Sequence, residues 1–300
     1  VKLIKSQAVT DTTLTSSSVP ENDYAAWSSA TTYADGDYVI VTTPNIHKIY
    51  KSKQNSNTNN DPVTDTTNTY WSDEGSTNRW KMFNQTIQQQ TSKAGGFDVR
   101  ITAGQIVNGL SVVNVDTQSI TVEMVDPSEG TVFNQTYSMV SDSGIQSWYD
   151  YFFTPITRDS DLAILGLPNY ANAYIDVTFT DTGTAKCGAL VLGTVETIGD
   201  SQYGASFGII DYSQKTTDSA GNVTITAGRY SDTADVDVII QTGRFAQVKK
   251  ILTDVRTTPS VWITEENTDG TIIYGYFREF SILMTNPTVS LTTLSIEGLT

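Results

Sequence analysis

Between residues 80 and 198 apolar and polar positions alternate with a period of two. Ile120, Val122 and Met124 alternate with Thr121 and Glu123. After the turn Asp126-Pro127-Ser128-Glu129-Gly130 a second set follows at the same spacing: Phe133, Gln135, Tyr137 and Met139. This pattern predicts a hairpin of half-buried strands. Ile175, Val177 and Phe179, then Asp181-Thr182-Gly183-Thr184, then Cys187 to Leu192 predict another pair. Strands at this spacing, with no long helical period between them, indicate a β-sandwich or jelly roll over residues 77–198.

Strands continue in residues 199–300, at Val223 to Ile225, Val236 to Ile240, Ile272 to Met284 and Val289 to Ile296. In the last of these Val289 and Leu291 lie on one parity and Leu294 and Ile296 on the other, which predicts a bulge near Thr292-Thr293. One segment changes period. Phe245, Val248, Ile251, Leu252 and Val255 fall on one face of a helix spanning 244–256, and Thr257-Thr258-Pro259 ends it.

The first 22 residues carry little pattern and read as an extended arm. Residues 23–76 have a texture of their own. Tyr38 to Val41 and Ile46 to Tyr50 are short strands across the turn Thr42-Thr43-Pro44-Asn45, and the polar run Gln54 to Asn60 is loop. A core this small has to be filled by aromatics. The fold class expected is therefore mainly β: an arm, a small aromatic-rich β module, a sandwich, and a C-terminal β-rich assembly domain with one packed helix.

Charge and rare residues narrow the chemistry. With 18 Lys and Arg against 33 Asp and Glu, the net charge of −15 repels phosphate backbones and argues against a nucleic-acid partner. No stretch approaches the roughly 20 apolar residues of a membrane span, and Val1-Lys2-Leu3-Ile4-Lys5 lacks the apolar core of a signal peptide. One cysteine, Cys187, cannot make an intrachain disulfide, and one histidine, His47, falls short of the common zinc sets. His47 reads as a polar residue on a strand face. Acidic residues such as Asp98, Glu123 and Asp211 sit in no catalytic motif. No enzyme activity, metal or cofactor is expected.

The module's aromatics are Trp27, Tyr33, Tyr38, Tyr50, Tyr70 and Trp71. Such rings either form the core of a tiny domain or stack on sugars, whose C–H groups are drawn to the negative ring face. Trp27 and Tyr50 suit the core. Tyr70 and Trp71 are adjacent beside a polar loop, and neighbours on a strand point to opposite faces, so at least one should meet solvent.

Two resemblances rest on particular residues. Ala26-Trp27, Tyr33-Ala34-Asp35-Gly36-Asp37-Tyr38-Val39, Ile49-Tyr50-Lys51-Ser52, Pro62 and Trp71 resemble the chitin-binding type of carbohydrate-binding module, families 5 and 12. The resemblance implies a polysaccharide-binding surface, with Trp71, Tyr70 and Tyr33 as its candidate residues. The stretch Thr77 to Phe83 is similar to the opening of a galactose-binding-like jelly roll. Gly204 to Ser213, Pro259 to Ile263, Tyr274 to Ile282 and Leu294 to Leu299 then look like a family of tailed-bacteriophage virion proteins. That resemblance implies a structural role in the tail or adsorption apparatus. Its partners would be other copies of the chain, other tail proteins and host-surface polysaccharide. A free lectin-like protein is the alternative, and a glycoside hydrolase with an appended module a weaker one.

Overall fold

The alternating segments close into antiparallel sheets, and the chain is mainly β. The computed structural model describes residues 1–141, 147–153, 157–217, 219–265, 270–283 and 287–300. The chain opens with β1 (Lys2–Ser6) and β2 (Leu14–Ser17). The small module follows as β3 (Thr32–Tyr33), β4 (Tyr38–Val41), β5 (Lys48–Ser52), β6 (Asn57–Thr58) and β7 (Trp71–Ser76). Next come β8 (Thr91–Ala94), β9 (Phe97–Thr102), β10 (Gly109–Asp116), β11 (Ser119–Asp126), β12 (Gly130–Ser138) and β13 (Val140–Ser141). A short helix α1 (Trp148–Phe153) leads to β14 (Thr157–Arg158), β15 (Leu162–Leu165), β16 (Tyr174–Thr180) and β17 (Thr184–Thr197). The C-terminal third holds β18 (Asp200–Ser201), β19 (Ser206–Asp211), β20 (Gln214–Thr217), β21 (Val223–Thr226) and β22 (Tyr230–Gln241). It ends with α2 (Phe245–Val255), β23 (Ser260–Ile263), β24 (Ile272–Leu283) and β25 (Val289–Gly298). Met284, expected at the end of β24, lies outside the described residues.

One large sheet runs β15-β10-β17-β1-β23-β24-β25-β22-β18, with β8 added to β17 and β19 to β22. A second sheet runs β12-β11-β16-β9-β2. Its inward residues, among them Val99, Ile120, Val122, Val177 and Phe179, pack on Leu110, Val112, Cys187 and Leu192 of the large sheet. This is the expected sandwich core. Farther along the large sheet α2 takes over as the cover. Val248, Ile251, Leu252 and Val255 bury against Val236, Val238, Trp262 and Leu294. The helix starts one residue later than its periodicity predicts, because Thr242–Arg244 winds as a 3₁₀ turn first, and it ends one residue earlier, at Val255 with Arg256 as its cap.

Several expectations are corrected. Residues 1–22 are not an arm. The strand β1 lies between β17 and β23, pairing Ile4 with Val195 on one side and Val261 on the other. Leu3 and Ile4 are both buried, but in clusters on opposite faces of the sheet, so no alternation marks the strand. Gly193 of β17 makes this possible, since a Cβ there would stand 1.8 Å from the Lys5 carbonyl oxygen. The boundary expected at 198 is likewise no break, because β1 joins the two halves into one sheet. Nor do β16 and β17 form a hairpin. The turn at Asp181 carries the chain from the second sheet to the large one, with Asp181 Oδ1 accepting the Gly183 N–H at 2.6 Å.

The final strand has no bulge at Thr292-Thr293. Ser290, Thr292, Leu294, Ile296 and Gly298 keep one buried parity throughout β25. Two small hydroxyl residues hold core-facing positions there, and the Thr292 hydroxyl donates to the Ser281 carbonyl at 2.5 Å. The register shift sits on the neighbouring strand, between Phe277 and Glu279.

Candidate functional site

The module is a three-stranded sheet, β4-β5-β7, beside the β3-β6 pair. Its core is Tyr33, Val39, Tyr50 and Trp71. Trp71 is 1% exposed, its indole N–H donates to the Asn60 carbonyl at 2.9 Å, and Tyr33 meets it edge-on with centroids 5.1 Å apart. The loop before it is tied by Asp65, whose carboxylate accepts the N–H groups of Thr69, Tyr70 and Trp71 at 3.0, 2.7 and 2.9 Å. Burial pushes the Asp65 carboxyl up, but these N–H groups and the Thr67 hydroxyl outweigh it and hold it below its ordinary value.

The candidate glycan residues therefore divide differently from the sequence expectation. Trp71 and Tyr33 are core, so neither ring can lie flat against a sugar. Tyr70 is half-buried against that core. The exposed rings are Tyr24, at 43%, and Tyr38, at 36%. They stack with centroids 4.9 Å apart and planes 16° apart. Lys51 is the cross-strand partner of Tyr38, and its ammonium lies 5.5 Å from that ring's centroid. Tyr24 is brought here by the bridge from Ala26 to Ile40, with the Trp27 N–H donating to the Ile40 carbonyl at 3.0 Å. A partial signal for Tyr38 existed: it shares with Ile40 the face of the strand opposite the core residue Val39, and that face is covered at Ile40 but open at Tyr38. Tyr24 lies outside any periodic segment and had none. Two stacked phenols beside an ammonium form an exposed, partly apolar patch with hydrogen-bonding edges.

His47 has a different part from the one expected. It precedes β5 rather than lying on it, with a left-handed φ of 53° at Asn45 and 50° at His47 itself. Its Nδ1 faces Glu21 at 2.8 Å and its Nε2 faces Asp11 at 2.5 Å, while the ring stacks on Trp80 at 3.9 Å. Both facing atoms are carboxylate oxygens, so the ring is held from both of its edges. Asp11 and Glu21 precede the module and Trp80 follows it. His47 thus pins the module to the body. Among the described residues no three His, Cys, Asp or Glu side chains gather as a metal site, and no helix is long and apolar enough to cross a membrane.

No family model and no curated protein matches the chain. Among solved structures, it is similar to a chitosan-binding module derived from a chitosanase/glucanase of Paenibacillus sp. IK-5. The TM-score is 0.26 and the identity 12%, over 38% of this chain and 81% of that one. A superposition that loose establishes neither fold nor function, and the reading of the site rests on its own geometry.

Proposed function

We propose that the chain is a non-enzymatic structural protein of a tailed-phage virion, held in the tail tip, baseplate or collar and presenting a glycan-binding module. The glycan part rests on one observation, the exposed Tyr24–Tyr38 pair beside Lys51. Aromatic faces take the apolar side of a sugar ring, while the ammonium and phenol groups bond its hydroxyls. Polysaccharide on the host surface is the partner this surface fits. The test is retention on host cell wall and on a glycan array. Replacing both Tyr24 and Tyr38 with alanine should abolish retention, and unchanged retention overturns the reading.

The assembly part is supported by surface that a lone chain leaves in water. Among the described residues β20 and β21 pair only with each other, and every residue of both strands is exposed. An isolated two-stranded ribbon is marginal in water. Val223 and Ile225 on it, with Phe207 and Ile209 on β19, are exposed apolar groups, and Trp148, Tyr149, Phe152 and Phe153 crowd α1. Other copies of the chain or other tail proteins would cover them, in particles assembled in the host cytoplasm. Replacing residues 214–226 with a short polar turn should exclude the protein from particles. Incorporation at the normal level would sink this part.

A further inference from the structure

A second cleft lies on the C-terminal half of the large sheet, with a volume of about 480 Å³. That size suits a small molecule or one or two units of a polymer. Tyr276 on β24 and Glu297 on β25 are direct cross-strand partners. Tyr212, just beyond β19, reaches over β22 to the same carboxylate, donating to Glu297 Oε1 at 3.4 Å. Arg229, Gly298, Leu299 and Thr300 complete the lining.

The charges in this cleft are uneven. Glu297 accepts from the Tyr212 hydroxyl, and Arg278 Nε lies 3.2 Å from its Oε2. Burial, and then the neighbouring Glu297 carboxylate, push the Tyr276 phenol up, so it remains protonated over the neutral range. Glu297 is thereby matched by Arg278. Arg229 has no ion-pair partner among the described residues, although the chain carries a net charge of −15. The cleft joins two half-exposed phenol rings to one uncompensated guanidinium. Phenol rings beside a guanidinium suit a ring that carries an anion.

We propose that this cleft is a second saccharide site, specific for a sugar unit bearing a carboxylate. The ligand class rests on the glycan-binding reading given above, but none of the residues is shared with the module. Tyr212 and Tyr276 flank the sugar ring, and Arg229 takes its carboxylate in a bidentate pair.

Calorimetric titration of the full chain with trigalacturonic acid and with chitotriose tests it. Trigalacturonic acid should bind, and Arg229→Gln should weaken it about tenfold or more, as should Tyr212→Ala. The doubly substituted Tyr24 and Tyr38 variant should bind it normally. That last arm separates the two readings, because failure of the module's site leaves this one intact. The proposal is overturned if Arg229→Gln binds trigalacturonic acid as well as the unaltered chain does. It is also overturned if the acid does not bind the unaltered, folded protein. Binding of a glutamate-rich peptide at this cleft in place of the acid would overturn it too.

Discussion

Asp65 is the residue on which the module's aromatic core hangs. Three N–H groups, of Thr69, Tyr70 and Trp71, end on its carboxylate. Replacing it with alanine leaves them to water or to nothing, which costs about 1–2 kcal/mol after allowance for partial exposure. Its folded-state carboxyl lies below the ordinary value. The contribution is therefore complete above the unfolded value, about 3.9, and is lost as the pH falls through the folded one. Chemical denaturation of Asp65→Ala should show the loss at pH 7, and the difference from the unaltered chain should shrink in acid. A second residue-scale expectation concerns Cys187, which is fully buried and whose thiol burial pushes well up. A maleimide should label it only at the rate of global unfolding; fast labelling of the native chain would contradict its place in the core. The type of each key residue was plain in the sequence, and its side was not. Adjacent Tyr70 and Trp71 had to point apart, but only the indole's partner at Asn60 and the Asp65 turn decide which one goes inward. Those contacts depend on how a nonperiodic loop closes.

Elements covered on one side announced themselves, and elements covered on both did not. The β11–β12 hairpin alternates as expected because β12 has an outer face in solvent. Helix α2 shows its 3.6 period because only one side meets the sheet. In contrast, β1 has apolar residues at both 3 and 4 because both faces of the sheet are covered around it. In β25 the buried Ser290 and Thr292 hid a continuous parity behind the half-buried Val289 and Leu291. A central strand should be costly to weaken. Leu3 is fully buried against the cluster that includes Trp262, and Leu3→Ala should destabilise the chain by about 2–4 kcal/mol. Urea unfolding monitored by circular dichroism measures this, and a loss below half a kcal/mol would return β1 to the status of a loose arm. A smaller effect is expected on the second sheet. There Arg100 makes a two-bonded pair with Asp176, both contacts at 2.7 Å, and lies over the Tyr174 ring at 4.0 Å. Lysine cannot reproduce the fork or the stack, so Arg100→Lys should cost about 0.5–1 kcal/mol despite keeping the charge.

At the scale of the whole molecule the module is an insertion whose two ends lie side by side. Arg79 Nε donates to the Val19 carbonyl at 2.7 Å, the Asn78 N–H reaches Asp23 at 3.1 Å, and the Thr77 hydroxyl donates to Glu21 at 2.7 Å. The texture change near residue 23 was legible in the sequence; the closeness of the two ends, made by contacts some 55 to 60 residues apart, was not. Because the body's sheets hydrogen-bond on either side of these ends, the module adds no strand to them. Cutting away residues 1–76 would remove β1 and β2 and unfold the body, whereas replacing only 24–76 with a short glycine-serine linker should not. The excised chain should unfold in one cooperative transition within a few degrees of the original. Trp80, stacked on His47 in the intact chain, should become exposed, with a red-shifted emission. His47→Ala should act between these limits. It removes the clasp to Asp11 and Glu21 but leaves Asp23 and Arg79 in place, so the body's stability should hardly change. The segments around residues 19–23 and 77–80 should then become sensitive to limited proteolysis while the module itself stays folded. A His47→Ala chain as resistant as the original would mean that the backbone contacts alone fix the module, and that the histidine clasp is redundant.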